Sequence, residues 1–158
     1  TILKQLSGLS NLTVSLLSAI PYVLMLFTMI LVGWSSDRRH ERRWHTAMPL
    51  FVTGICLGAS VVARGHPAAA MILLTLATSC VWTFAPIFWA LPTAILTEAA
   101  AAASIGLINS VGNLGGFVGP YVVGYLEKRT GSTAAGLAYL VISLILAGIV
   151  VLRVRRAD

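Results

Sequence analysis

The sequence predicts an all-α integral membrane protein with five membrane-spanning helices. Composition is the first reason: of 158 residues, 58% are hydrophobic and only 10% charged, and the mean hydropathy is +0.89. A soluble domain of that length needs a charged surface, which this composition does not supply. The second reason is five apolar runs in series, each near or above the roughly 20 residues a helix needs to cross about 30 Å of hydrocarbon. The third is where the charge falls. The net charge of +6 sits at the ends of the apolar runs and forms no basic stripe interleaved with aromatic residues. That placement suits a membrane protein and argues against a nucleic-acid partner.

The runs are read in order as Leu12–Val32, Thr46–Ala63, Ala68–Ile95, Ser104–Leu126 and Thr133–Leu152. The first, "AIPYVLMLFTMILV" at its core, stops where "GWSSDRRHERRWH" concentrates six charged residues between Gly33 and His45. Tyr22, next to Pro21, suits either an interface position or a cavity wall. The second run is bounded by that charged stretch and by "RGHP". The third is the longest and holds Pro86 and Pro92, which are expected to break its helical ladder. The fourth follows "TEAAAAA" and is rich in glycine. The fifth follows "EKRTGS" and is apolar throughout. Buried helices of a soluble bundle would need polar outer faces, and these runs have none.

Orientation follows from Lys and Arg. Arg38, Arg39, Arg42 and Arg43 in the first link and Arg153, Arg155 and Arg156 at the end fall on one side, which the positive-inside bias makes cytoplasmic. Lys4, Arg64, Lys128 and Arg129 fall on the other side, and the inner link after the third run carries only Glu98. Five crossings then put the amino end outside the plasma (inner) membrane. Nothing in "TILKQLSGLS" would drive its export, so the expectation is a chain continuing from a longer protein.

Enzymatic and metal chemistry find little support. Cys56 and Cys80 lie within apolar runs, as small core residues do. "HERRWH" spaces His40 and His45 five apart, whereas a helical zinc-protease motif needs four. "NLT" at Asn11 fits a glycosylation acceptor but abuts the membrane. No Ser/His/Asp or Cys/His arrangement stands out. The expectation is no enzyme, no metal and no cofactor.

The charged link reads Gly33-x-x-Ser36-Asp37-Arg38-x-x-Glu41-Arg42-Arg43. Gly33 would let a neighbouring helix pass close to the helix end. Asp37 can accept from free backbone N–H groups at another helix's amino terminus. The arginines can pair with Asp37, with Glu41 or with lipid phosphate. Such a latch between helix ends can favour one conformation over another, and fixing topology alone is the other reading. The spacing resembles the loop motif of the major facilitator superfamily, in its second-half copy.

The resemblance sharpens downstream. "FWALPTA" and "INSVGNLGGFVGP", within Phe88–Leu126, are similar to the tenth and eleventh helices of that superfamily's anion:cation symporters, in particular the tartrate, sugar-acid and phthalate types. The likeness implies a twelve-helix fold in two halves, of which this chain matches helices eight to twelve. The first helix of its half and the whole amino-terminal half would lie elsewhere. It also implies a secondary carrier that moves a small organic anion with protons by alternating access, its coupling carboxylates and anion-binding arginine in the other half. Glu98 departs from the family pattern, standing where a small residue is usual. A carrier of neutral sugars or drugs, and a non-transporting scaffold or truncated remnant, are the competing readings.

Three residues are candidates for substrate contact. Asn109 and Asn113 lie four apart on one helix face. Two amides lining a cavity offer donors to carboxylate oxygens and hydroxyls; each alone can equally hydrogen-bond a neighbouring helix. By resemblance, Asn109 aligns with a substrate-contacting amide. Trp89 suits an interface anchor on length, and a cavity wall by resemblance, with Phe84 and Phe88 beside it. Gly112 with Gly116 and Gly115 with Gly119 form two GxxxG pairs ahead of Pro120. They are expected to pack closely against another helix, and Pro120 to kink the segment into a bendable gate.

Overall fold

A computed structural model of the chain describes residues 11–154. Lys4, the opening "TILKQLSGLS", Arg155 and Arg156 lie outside that range. The described residues form α1 (Asn11–Arg39), α2 (Arg43–Val62), a 3₁₀ turn (Ala63–Gly65), α3 (Pro67–Val81), α4 (Ala85–Ile95), α5 (Glu98–Thr130) and α6 (Thr133–Leu152). Together they give five spans long and apolar enough to cross a membrane, α3 and α4 making one of them. Helices are the expected solution, because in hydrocarbon each backbone N–H and C=O must find its partner within the protein.

Several boundaries differ from the sequence reading. α1 continues past Val32 to Arg39, so Gly33, Asp37 and Arg38 belong to a helix and not to a link. Nothing in "GWSSDRR" breaks a helix, and Arg38 and Arg39 suit the negative end of its dipole. The helix stops at His40, whose φ of 49° is left-handed. His40 N–H donates to Asp37 O at 3.3 Å and Glu41 N–H to Ser36 O at 3.1 Å, the paired bonds of a Schellman ending. α5 begins at Glu98, because the alanine run is strong helix former and Glu98 suits the first turn. It runs through Pro120 as continuous helix and ends at Gly131, where φ of 65° suits a residue without Cβ.

The third span breaks upstream of its prolines. Pro86 has no N–H to offer Trp82 O, so Ala85 N–H takes that carbonyl at 3.0 Å and Thr83 N–H takes Cys80 O at 3.0 Å. The ladder tightens into turns over Trp82–Phe84. Pro86 then sits in the first turn of α4, where a missing N–H costs nothing, and Pro92 lies inside α4 without ending it.

α2 is the centre of the bundle. It packs most extensively on α6 and then on α3; α5 leans on α6, and α1 on α3. Small residues set the α2–α6 approach. A Cβ at Gly54 would stand 3.3 Å from the Ile145 side chain, and one at Gly58 3.8 Å from Val141. A Cβ at Gly148 would overlap the Phe51 ring, and one at Gly136 would lie 2.8 Å from Val123 of α5. This is the close backbone approach that membrane helices use for dispersion contact. The glycines expected to do so, Gly112, Gly115, Gly116 and Gly119, meet nothing within 4 Å. Their face of α5 is turned away from α6 and α4, its neighbours among the described residues.

A hydroxyl cluster ties α1 to α3 and to the turn that follows it. Thr28 Oγ1 lies 2.7 Å from Thr83 Oγ1 and donates to Met25 O at 2.9 Å. Ser79 Oγ lies 3.2 Å from Pro21 O and 2.7 Å from Thr75 O. Ser79 and Thr83 are almost completely buried, so each hydroxyl needs these partners.

Substituting Gly148→Ala is expected to lower stability in detergent by about 1–3 kcal/mol through overpacking against Phe51. Gly116→Ala is expected to cost this chain nothing. Thermal midpoints followed by helicity compare the two, and equal losses would contradict the packing described.

Candidate functional site

The first charged assembly forms where α1 meets α2. The Schellman ending turns the chain so sharply that the last turn of α1 faces the first turn of α2. Arg42 Nη1 and Asp37 Oδ1 pair at 3.1 Å across the turn. This pair is exposed on the Asp37 side, so its strength is modest. The free N–H groups at the start of α2 go to Glu41: Trp44 N–H donates to it at 2.9 Å and His45 N–H at 3.3 Å. The capping role foreseen for Asp37 therefore falls to Glu41, three residues before Trp44, which is the usual capping reach. Gly33 meets nothing within 4 Å.

His45 completes this assembly, and the sequence reading did not single it out as a partner. Its Nδ1 lies 3.0 Å from Glu41 Oε2 and its Nε2 lies 3.1 Å from Ser35 Oγ. An ionised Glu41 only accepts, so Nδ1–H donates to it, and the Ser35 hydroxyl can serve Nε2 in either role. Ser36 Oγ donates to Glu41 O at 2.8 Å and is fully buried. The signal was present as Ser35 and His45 on either side of the turn, and only tertiary folding brings them together. Burial pushes the Glu41 carboxyl up, but the bonds from Trp44 N–H and from the ring and N–H of His45 outweigh it. The carboxyl ends below its ordinary 4.5.

Arg38 and Arg43 take other surroundings. The Arg38 guanidinium lies 5.3 Å over the Trp34 ring. Arg43 Nε is buried with no hydrogen-bond partner among the described residues.

The second region is the α4–α5 hairpin. Trp89 is half-buried on α4, with its ring edge-on to Phe88 at 5.2 Å, and Phe88 is edge-on to Phe84 at 5.9 Å. This aromatic run is continuous because Phe84 and Phe88 are one helical turn apart. Asn109 and Asn113 lie on the exposed face of α5. Asn113 Nδ2 donates to Asn109 O at 2.9 Å, a bond within the helix. The Asn109 amide makes no side-chain hydrogen bond among the described residues. The same face carries Gly112 and Gly116. A cavity of about 240 Å³ opens at the base of the hairpin between Thr93, Leu96, Glu98 and Ile105; neither Trp89 nor Asn109 lines it. Glu98 is exposed there, in the first turn of α5.

The sequence profile of the Major Facilitator Superfamily matches residues 1–158. A putative tartrate transporter of Agrobacterium vitis is 40% identical over 154 residues, covering 94% of this chain and 34% of the relative. A quinolone resistance transporter of Acinetobacter baumannii is 39% identical over 145 residues, covering 92% of this chain and 33% of the relative. The inner membrane transport protein RhmT of Escherichia coli strain K12 is 34% identical over 143 residues, covering 90% and 33%. The chain thus spans about a third of the length of the curated relatives it matches. No solved structure matches it.

The lowered Glu41 value predicts a pH dependence. A carboxyl whose folded value is depressed contributes stability above its unfolded value and loses it as pH falls through the folded one. Glu41→Gln is therefore expected to cost about 1 kcal/mol at neutral pH, as a lost helix cap does. The gap between the two proteins should shrink as pH falls below 4.5, the ordinary value. Paired thermal melts from neutral to acid pH measure it.

Proposed function

Because this chain belongs to the major facilitator superfamily, we propose that it forms the carboxy-terminal helices, eight to twelve, of a twelve-helix secondary carrier. The carrier moves a small organic anion, a sugar acid or dicarboxylate, with protons across the inner membrane. Its arginine-rich α1–α2 turn and carboxy terminus face the cytoplasm and its amino end faces outward. It is a carrier and not an enzyme, and it needs no cofactor.

One observation carries this reading. α5 is the longest span, yet of its 33 residues only Ala101 is buried, against eight of the 20 in α2. Its bare face holds Asn109, Asn113, Gly112 and Gly116, residues whose chemistry suits an amide-lined cavity and a closely approaching helix. A second helical bundle lying against that face, with α1 also bare, fits a carrier whose two halves rock about a midplane site. The tartrate name of one relative supports a hydroxylated dianion, to which Asn109 donates from α5 and Trp89 from α4. Asn113 sits one turn away as a further donor. Gly115, Gly119 and Pro120 belong to the same face-changing segment, a gate that bends as the halves rock. The Asp37–Arg42 pair and the Glu41 cap, with Gly33, Arg38 and Arg43 beside them, form the latch that favours one state of that rocking.

The quinolone relative supports a second reading, export of an aromatic zwitterion past the Phe84–Phe88–Trp89 aromatic run. Transport assays separate the two. In the full-length protein, uptake of labelled tartrate is expected to fall about tenfold or more in Asn109→Ala and in Trp89→Ala, the loss of one hydrogen bond to a charged group. Unchanged uptake in both would remove the site assignment. Quinolone efflux without tartrate uptake would favour the second reading.

A further inference from the structure

The α1–α2 turn carries more positive charge than its own carboxylates can answer. Four arginines, Arg38, Arg39, Arg42 and Arg43, stand against Asp37 and Glu41, leaving +2. Both acids are already committed. Asp37 pairs with Arg42, and Glu41 accepts from Trp44 N–H, His45 N–H and the His45 ring. Arg38, Arg39 and Arg43 therefore have no carboxylate partner among the described residues. Arg43 is half-exposed, with its Nε turned inward and unpartnered among the described residues, so its terminal amino groups are the donors left to face outward. Arg38 is steadied over the Trp34 ring at 5.3 Å, which leaves the edge of its guanidinium free to donate.

The surroundings identify the acceptor. The turn joins two membrane-spanning helices, so it lies at headgroup depth. Trp34 and Trp44, on either side of it, are 59% and 52% exposed. Indoles in that position sit among headgroups with the ring body toward the acyl chains. A soluble anion would use the arginines and leave the exposed Trp44 indole without a partner. A phospholipid uses both.

We propose that Arg38, Arg39 and Arg43, flanked by Trp34 and Trp44, form a binding site for the phosphate of an anionic phospholipid. The lipid phosphate supplies acceptors to the guanidinium groups, and its glycerol and upper acyl carbons lie against the two indoles. The Asp37–Arg42 pair and the Glu41 cap hold the turn in shape, so the remaining arginines are presented outward. The site anchors the turn to its leaflet, and it stands whether the carrier moves anions or drugs.

Native mass spectrometry of the full-length protein, with phosphatidylglycerol and phosphatidylcholine as competing probes, tests this. Phosphatidylglycerol is expected to be retained in preference, with roughly a fivefold loss of that preference for each arginine removed. Arg38→Gln with Arg43→Gln should therefore lose most of it. Arg38→Lys with Arg43→Lys should keep part of it, since the charge remains while the fork is lost, and this pair covers the case in which the glutamine variant fails to fold. Arg129→Gln, at the far end of α5, should leave the preference unchanged. Equal retention of the two lipids, or a preference that survives in a folded glutamine variant, would overturn the proposal. Displacement of the lipid by millimolar inorganic phosphate would overturn it too, by marking a site for free anions.

Discussion

The constraint on which the structure depends is that a peptide group in hydrocarbon must be hydrogen-bonded inside the protein. It makes every crossing a helix, and it governs the places where the helices stop. α1 ends only where a Schellman turn closes its last carbonyls on His40 and Glu41. α3 gives way at Trp82–Phe84 because Pro86 withholds a single N–H, and the neighbouring amides Thr83 and Ala85 take shorter bonds in its place. Buried hydroxyls obey the same rule. Thr28, Ser79 and Thr83 satisfy one another and nearby carbonyls across the α1–α3 contact, which gives that contact direction where apolar packing alone would not.

Within these limits, close approach decides which helices pair. In a bilayer, lipid tails compete on equal terms with apolar side chains, so helices gain by fitting together and not by escaping water. Gly54, Gly58 and Gly148 let α2 and α6 interlock, with Phe51 lying over Gly148. α5 reaches the bundle mainly through α6, at Gly136 against Val123. Its richest glycine stretch is left facing outward beside two amides. The residues that pack inside the bundle and the amides and glycines that face outward thus lie on different faces of the helices.

The α1–α2 turn shows how charge is distributed once the backbone is fixed. Two carboxylates serve two tasks: Asp37 bridges the turn to Arg42, and Glu41 caps a helix while orienting the His45 ring. Arg38, Arg39 and Arg43 are then left without a carboxylate partner among the described residues. The same short stretch therefore ends one helix, starts another and presents charge at the membrane surface.

The number of crossings, their helical nature and the gathering of charge at their ends were legible in the sequence, because hydropathy and length act locally and need no knowledge of partners. The α6 span was legible to the residue, since Ser132 caps it and Thr133–Leu152 is uniformly apolar. The extents of α1 and α5 were not, because "GWSSDRR" and the alanine run are polar or small enough to look like links while remaining good helix. The break before Pro86 and the choice between glycine pairs were also out of reach: GxxxG spacing marks Gly54–Gly58 and Gly112–Gly116 alike. Only the tertiary structure decided that the first pair meets α6 and the second faces outward, and that Ser35, Glu41 and His45 converge. Those outcomes depend on which helix lies beside which, a property of the packed bundle that no local pattern carries.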